Sequence, residues 1–507
     1  MPNGSSGRVV VEHGSNAVNT PADTVTAPQR LVLRNTLFIV AAQMVVTPLS
    51  VLVNAVVARK LGAVNFGQLY LATSFASLAL MFIEWGHSAA LSGYVARDRS
   101  RAGLLLGSSL VWRAAAALLA TTLVLVGCAL LGYERNFLTV LSLALLVSLL
   151  GTVSFACNDV FRGYERTDIG AATYVAWQLF TSISVITVMW LGGGLYALLS
   201  TQAACTAIGA LVMWYLLKPL GVPRLSAALS TIKELFIAGT PFLIFGVVSA
   251  LQTNIDAVLL SKLGSAEAVG WHAAARKLIG LLAYPANALI AALYPTLCRL
   301  HVEDRIAFRH TTASALQLTA LAVMPIALGC AFFPDIGVRI FSMEEYGAAT
   351  GNLRILAMYL ALAYFSMPLS SALNAAGKQR PWAVAQLGCL VVASTLDLLL
   401  IPWFQTHYGN GGLGVCVATL SGEVVMISAG LWLLPKGILD KALLRKLFAG
   451  FVGAICMSLV AWLLSAYDSF IAAPFAVVAY VVGVWLAGGI DANWLGKSRA
   501  LMLGQVM

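Results

Sequence analysis

The chain is expected to be an all-α polytopic membrane protein of about 14 transmembrane helices, arranged as two six-helix lobes in pseudo-twofold repeat plus two C-terminal helices. Three observations predict this. First, 60% of the 507 residues are hydrophobic and only 10% are charged, against about 25% charged in soluble domains. Second, the apolar residues run in segments of more than twenty, enough to cross a bilayer that needs about 20. Third, motifs recur in order six segments apart. The composition excludes a soluble enzyme, a secreted disulfide scaffold and a disordered chain. A membrane β-barrel is excluded because its strands alternate apolar and polar residues over about ten positions.

Residues 1–34 read as a disordered cytoplasmic tail, rich in Ser, Asn, Thr and Pro and without an apolar run. The N-terminal lobe follows over 35–217, with spans at 35–58, 69–95, 104–131, 137–160, 168–191 and 194–217. The C-terminal lobe covers 235–434, with spans at 235–261, 270–297, 313–333, 352–374, 381–403 and 412–434. Two appended spans lie within 448–489, at 448–466 and 470–489, and residues 490–507 form a second cytoplasmic tail. Pro48, Pro285 and Pro368 interrupt spans 1, 8 and 10, where the missing hydrogen bond permits a kink. Trp403, Phe404 and Trp494 read as interfacial belt.

Of the 31 Lys and Arg, 22 fall in the loops on the side of the termini, five on the other side and four inside spans. The positive-inside rule therefore places both termini in the cytoplasm. The net charge of +10 is a topology signal and calls for no nucleic-acid partner. No loop is long enough to fold as a catalytic domain and no GxxxxGK[ST] motif occurs. Transport would therefore draw on an ion gradient or the substrate's own gradient, and neither an enzyme activity nor a cofactor or metal is expected. The eight cysteines are scattered with no CxxC, as small buried apolar residues would be.

The repeat is visible in three places. Ala55-Val56 and Lys60-Leu61-Gly62 match Ala257-Val258 and Lys262-Leu263-Gly264. The loop from Gly163 to Arg166 answers the one from Gly377 to Arg380. Gly193-Gly194-Leu195 with Thr201 answers Gly411-Gly412-Leu413 with Thr419. Six spans is an even number, so the halves cross in the same sense around an axis along the membrane normal, which suits alternating access.

The stretches RKLGAVNFGQLYLATSFASL, NIDAVLLSKLGSAEAVGWHAAARKL, AALYPTLCRL, LNAAGKQRP, LLLIPWF and GNGGLGVCVATLSGE resemble the polysaccharide flippases of the multidrug/oligosaccharidyl-lipid/polysaccharide (MOP) exporter superfamily. The pattern covers residues about 35 to 434. Trp271 departs from it where a Tyr is usual, as do Gly414-Val415 where a small-residue pair is usual. The resemblance implies a flippase in the bacterial inner membrane. It would translocate polyprenyl-diphosphate-linked oligosaccharide units for extracellular polysaccharide or O-antigen synthesis, beside bilayer lipids and with a polymerase and chain-length regulator as partners. Three other readings stay open: a drug or organic-cation exporter of the same superfamily, a peptidoglycan-precursor flippase, and an integral membrane polymerase or glycosyltransferase.

Ionisable side chains inside spans cost about 2.5–3.5 kcal/mol or more if they face lipid, so they mark the candidate site. Arg113, Arg276 and Lys277 are read as a cationic lining for diphosphate or acidic sugars, guanidinium forks matching phosphate oxygens. The other reading is that Arg276 and Lys277 snorkel or pair with acids. Arg354 reads as a snorkelling anchor. Glu84 with His87, and Glu423, are ion-coupling candidates, the alternative being a fixed ion pair with Arg113 or a hydrogen bond to Ser or Thr. Asp256 and Asp397 are further coupling or gate candidates. Asp159 and Arg162, three residues apart, read as a structural pair.

Overall fold

The computed structural model describes residues 27–220, 222, 225–341, 343–435, 437–438 and 441–489. Most of the expected N-terminal tail, the expected C-terminal tail and Trp494 lie outside these residues. The described residues are helical almost throughout. The N-terminal half holds α1 (Ala27–Glu84), α2 (His87–Arg97), α3 (Ala102–Leu130), α4 (Arg135–Gly163), α5 (Thr167–Trp190) and α6 (Leu195–Leu216). Then come α7 (Leu229–Leu263), α8 (Ala266–Leu282), α9 (Tyr284–Glu303), α10 (Arg305–Phe332), α11 (Pro334–Phe341) and α12 (Met343–Tyr346). The chain ends with α13 (Ala349–Ala375), α14 (Gln379–Tyr408), α15 (Gly412–Leu433), α16 (Lys441–Leu463) and α17 (Ser469–Leu486).

Eleven helical stretches among the described residues are long and apolar enough to cross a membrane, and two bent pairs raise this to 13. The first stretch, Ala42–Arg97, has 56 residues, roughly 84 Å at 1.5 Å per residue, where a hydrocarbon core is about 30 Å thick. It breaks at Gly62, whose φ of 75° and ψ of 170° lie outside helical space, and so holds two spans. Each of the fourteen expected spans thus has a helical counterpart.

The helices pack inside-out relative to a soluble protein. Leu118, Leu119, Leu123, Val391 and Trp432 point outward, 58–84% exposed, whereas the interior is rich in alanine, including Ala55, Ala58, Ala72, Ala76 and Ala79. Lipid supplies no hydrophobic drive between helices, so small residues that let backbones approach do the packing. Helix starts are tied by side chains. Asp304 accepts from Ile306 N and Ala307 N to start α10, Asp468 caps α17 and Ser265 caps α8. Asp98, before α3, has φ −145° and ψ 96°, nearly the −147° and 97° of Asp304 before α10.

Kinks differ from the prolines named above. Pro285 does sit at a bend, 42° between Ala266–Leu282 and Tyr284–Glu303. The helix runs on through Pro48 and Pro368, and a 55° bend in α7 follows Pro241 instead.

On the face away from the termini the halves touch closely. Within α1, Gly67 lies so near α8 that an added Cβ would be 2.8 Å from Gly270 N, and one on Gly270 would be 2.0 Å from Ala63 O. The connection between α10 and α13, expected as a plain loop, folds into α11 and α12. It is tied over this contact: Ala63 N donates to Glu345, Arg59 donates to the Arg339, Ile340 and Phe341 carbonyls, and Tyr346 donates to Ala58 O. At the other end of the chain, α16 and α17 pack on each other and α16 lies on α10.

Candidate functional site

The second span is broken at depth. Glu84 ends α1, and Trp85 (φ 44°) and Gly86 (φ 67°) both take left-handed backbone before His87 starts α2. Such a conformation costs a non-glycine residue about 1–3 kcal/mol and persists only when surroundings enforce it. Here α7 enforces it. The Trp85 ring stacks on Phe236 at 4.3 Å, and its Nε1 donates to Thr240 Oγ1 at 3.3 Å. The Gly86 backbone meets Gly239 so closely that an added Cβ would be 2.3 Å from Gly239 O.

The break turns Glu84 toward α3 and α4. Arg113, 1% exposed, donates to Glu84 Oε2 at 2.8 Å, to Thr152 O at 2.6 Å and to Asp159 Oδ2 at 3.4 Å. Ser88 donates to Asp159 Oδ1 at 2.6 Å. His87 is fully buried, its Nδ1 3.3 Å from Ser109 Oγ rather than against Glu84. Two expectations change here. Asp159 pairs with Arg113 and not with Arg162, because Arg162 lies nearer the helix end and swings outward. Arg113 is held in an ion-paired cluster within the N-terminal half, so its guanidinium is already engaged by carboxylates. Glu84 keeps one oxygen, Oε1, without a partner.

Four cavities lie end to end in the half of the bundle toward the termini, each sharing lining residues with the next. The first, about 410 Å³, is bounded by Glu84, Asp159, Arg162, Phe155, Tyr174 and Trp177. A small one of about 120 Å³ continues past Arg162 and Tyr174 to Gln43. Gln43 also lines a third, about 600 Å³, an apolar space between α1 and α9 walled by Met44, Pro48, Leu282, Pro285 and Ile326. Gln43 and Tyr284 hydrogen-bond across it. Asn287 and Ala291 lead into the fourth, about 500 Å³, in the C-terminal half, which holds Glu423, Gln252 and Gln386.

The remaining predicted residues sit deeper. The Arg276 guanidinium carbon lies 5.7 Å from the Tyr359 ring centroid, and its buried Nη1 has no hydrogen-bond partner. Asp256, 5% exposed, accepts from Thr419 Oγ1 at 3.5 Å. Asp397 is 1% exposed with neither carboxylate oxygen partnered. Glu423 accepts a hydrogen bond from Ser366. Lys277 is exposed on α8, and Arg354 donates to Ala331 O at 3.2 Å. Of the eight predicted residues, Glu84 and Glu423 line these four cavities. Gln43, Asn287 and Gln386 line them too and were not singled out, and Arg162, read from the sequence as a structural partner of Asp159, also lines them. Arg162 has a nearby acid in sequence that hides its freedom, and uncharged amides escape a search for buried charge.

Among the described residues no three His, Cys, Asp or Glu converge as a metal site. All eight cysteines are free. Five are buried as expected, while Cys298, Cys330 and Cys456 are only partly buried.

Comparison with known proteins places this geometry. A family described as polysaccharide biosynthesis protein matches residues 32–301, just over half of the chain. An uncharacterized membrane protein of Methanocaldococcus jannaschii, MJ1068, is 23% identical over 263 residues, 51% of this chain and 50% of that protein. The chain thus spans about half the length of this curated relative. The lipid II flippase MurJ in an inward closed conformation superposes with a TM-score of 0.70 at 13% identity, over 91% of this chain and 99% of that one. An inward-facing multidrug resistance MATE family transporter of the MOP superfamily gives 0.61 at 17% identity, over 78% and 97%. A MOP superfamily transporter from Pyrococcus furiosus, described as having a binding pocket of reversed polarity, gives 0.56 at 16%, over 81% and 96%. The chain has the fold of MOP superfamily transporters and belongs to the polysaccharide biosynthesis protein family.

Proposed function

We propose that this protein is a flippase for polyprenyl-diphosphate-linked oligosaccharide units, carrying them from the cytoplasmic to the outer leaflet of a bacterial inner membrane for extracellular polysaccharide or O-antigen synthesis. The observation that carries the reading is the run of cavities, polar then apolar then polar, that leads from the N-terminal half through the space between α1 and α9 into the C-terminal half. A diphosphate and sugars cannot cross bare hydrocarbon, since each unsatisfied polar group costs several kcal/mol. A polar chamber beside an apolar one suits a ligand with a wet head and an oily tail. Arg162, exposed and unpaired within the tract, is the phosphate-binding residue of this reading, joined from greater depth by Arg276, with Lys277 at the lipid boundary.

The halves act as two lobes, 35–217 and 235–434, with 448–489 appended. The matching turns at Asp98 and Asp304 support the duplication. With the termini cytoplasmic, the cavities lie toward the cytoplasm and the Gly67–Gly270 contact closes the outer side. Asp256 and Asp397 form the ion-coupling site, the unpartnered Asp397 oxygens awaiting a proton or cation. Glu84 and Glu423 line the tract and sense its occupant, and His87 packs behind Glu84. A polymerase and a chain-length regulator would receive the product.

One observation favours a second reading. The tract carries the acids Glu84, Asp159 and Glu423 against the single cation Arg162, as an exporter of organic cations would. Deleting the gene separates the two: accumulation of a lipid-linked saccharide supports the flippase, whereas sensitivity to organic cations with no such accumulation supports the exporter.

A further inference from the structure

We propose that the cavity in the C-terminal half is a saccharide subsite that holds the sugar rings of the cargo, away from the phosphate end near Arg162. This inference rests on the flippase reading above. Five helices each turn one polar face to the space. From α9 come Asn287 and Tyr294, from α13 Ser370, Ser371 and Asn374, from α14 Gln386, from α7 Gln252 and from α15 Glu423. The bend before Pro285 redirects α9, so that positions 287, 291 and 294, spaced as i, i+4 and i+7, share one side.

The chemistry of this set is that of a neutral polyol site. A carboxamide offers two donors and an acceptor, the complement of a sugar hydroxyl, which both gives and takes a hydrogen bond. Among the described residues the side-chain amides of Asn287, Asn374 and Gln386, exposed or half-buried along the cavity wall, make no hydrogen bond to the protein, and Gln252 reaches only Cys389 Sγ, at 3.5 Å. Ser371 is 4% exposed and its Oγ has no partner, a group whose unpaired burial costs about 1–3 kcal/mol. Uncommitted amides opening on the space, with one buried hydroxyl left unpaired beside them, point to a hydroxyl-rich occupant. The Tyr294 ring, 39% exposed, offers a flat apolar face to the C–H side of a pyranose. Among the described residues no Lys or Arg lines the space and its one carboxylate is engaged by Ser366, which disfavours a phosphate here.

The test uses the full-length protein in the membranes of its own cells. A photoreactive p-benzoylphenylalanine replaces Ile290 in one variant, Met367 in a second and Ser154, in the N-terminal cavity, in a third, each a lining residue outside the proposed hydrogen-bonding set. Each is first shown to restore polymer synthesis in a deletion strain. After irradiation, mild acid cleaves the sugar–phosphate bond and the mass of each peptide adduct is read. The inference predicts adducts with the mass of a saccharide at 290 and 367, about tenfold over position 154, a preference of about 1.4 kcal/mol. Hydrocarbon adducts at 290 and 367, or saccharide adducts equal at all three positions, would overturn the subsite and leave the flippase reading intact. Active variants with no lipid or saccharide adduct at any position would overturn both.

Discussion

In the N-terminal half, Arg113 draws Glu84 and Asp159 into one cluster with distances of 2.8 and 3.4 Å. In the C-terminal half, Asp397 is as buried, at 1% exposed, and neither of its carboxylate oxygens is hydrogen-bonded. Both regions bury ionisable groups in the same low-dielectric bundle. In the first, Arg113 pairs with two carboxylates, so the cluster is a strut that holds α1, α3 and α4 together, although Glu84 Oε1 and Arg113 Nε stay without a hydrogen bond. In the second no ion pair among the described residues holds Asp397, so a ligand or a change of conformation has more to gain there. Burial of a charge therefore does not by itself separate a structural tie from a candidate transport residue; what distinguishes Asp397 is the lack of an ion pair.

Breaking the strut should have the largest effect. Arg113→Ala leaves two carboxylates at depth with no counter-ion and is expected to cost about 3–5 kcal/mol, read as a fall in detergent thermal stability or as loss from the membrane. An Arg113 variant that remains stable but stops transporting would move this residue from the strut to the site. Next, Gly86→Ala puts a Cβ on left-handed backbone against Gly239 O and should cost about 1–3 kcal/mol, with a larger loss if α7 cannot shift. Thermal unfolding of that variant checks the claim that the break is enforced by packing.

Asp397→Asn removes an unpaired charge, so stability should hold or rise by on the order of 1 kcal/mol, while transport loses its dependence on a proton or sodium gradient. Unchanged gradient dependence would remove Asp397 from coupling. Smallest in stability is Arg162→Ala, expected within about 0.5 kcal/mol of the parent, because this exposed side chain has no ion pair to lose. Polymer synthesis in cells should nevertheless fall sharply. Lys277→Ala sharpens that contrast: exposed on α8 and outside the lining of the four cavities, it should be near neutral in stability and lower polymer synthesis less than Arg162→Ala.

The architecture was legible in the sequence because lipid imposes a simple rule, about twenty apolar residues per crossing, and the expected segments each map onto a helix. The break at Trp85-Gly86 was not legible. A single glycine inside an apolar run is common, and what forces the turn is contact with Phe236 and Gly239, about 150 residues away. For the same reason α11 and α12 were missed: their register depends on Arg59, Ala58 and Ala63 far upstream. Glu84 and Glu423, which line the cavities, stood out in the sequence because a carboxylate within a span has few explanations. Arg162 was misassigned since spacing of three along a helix permits its pairing with Asp159, and only the third dimension reveals Arg113 as the stronger partner.

The most direct measurement is reconstitution. Lipid-linked saccharide is extracted from cells lacking this gene and incorporated with the purified protein into sealed vesicles. An impermeant lectin or oxidant then reads how much saccharide lies outside. The account predicts that wild-type protein carries the inner-leaflet pool to the accessible side and that Arg162→Ala protein does not. Equal accessibility with and without wild-type protein, under either direction of ion gradient, would contradict it.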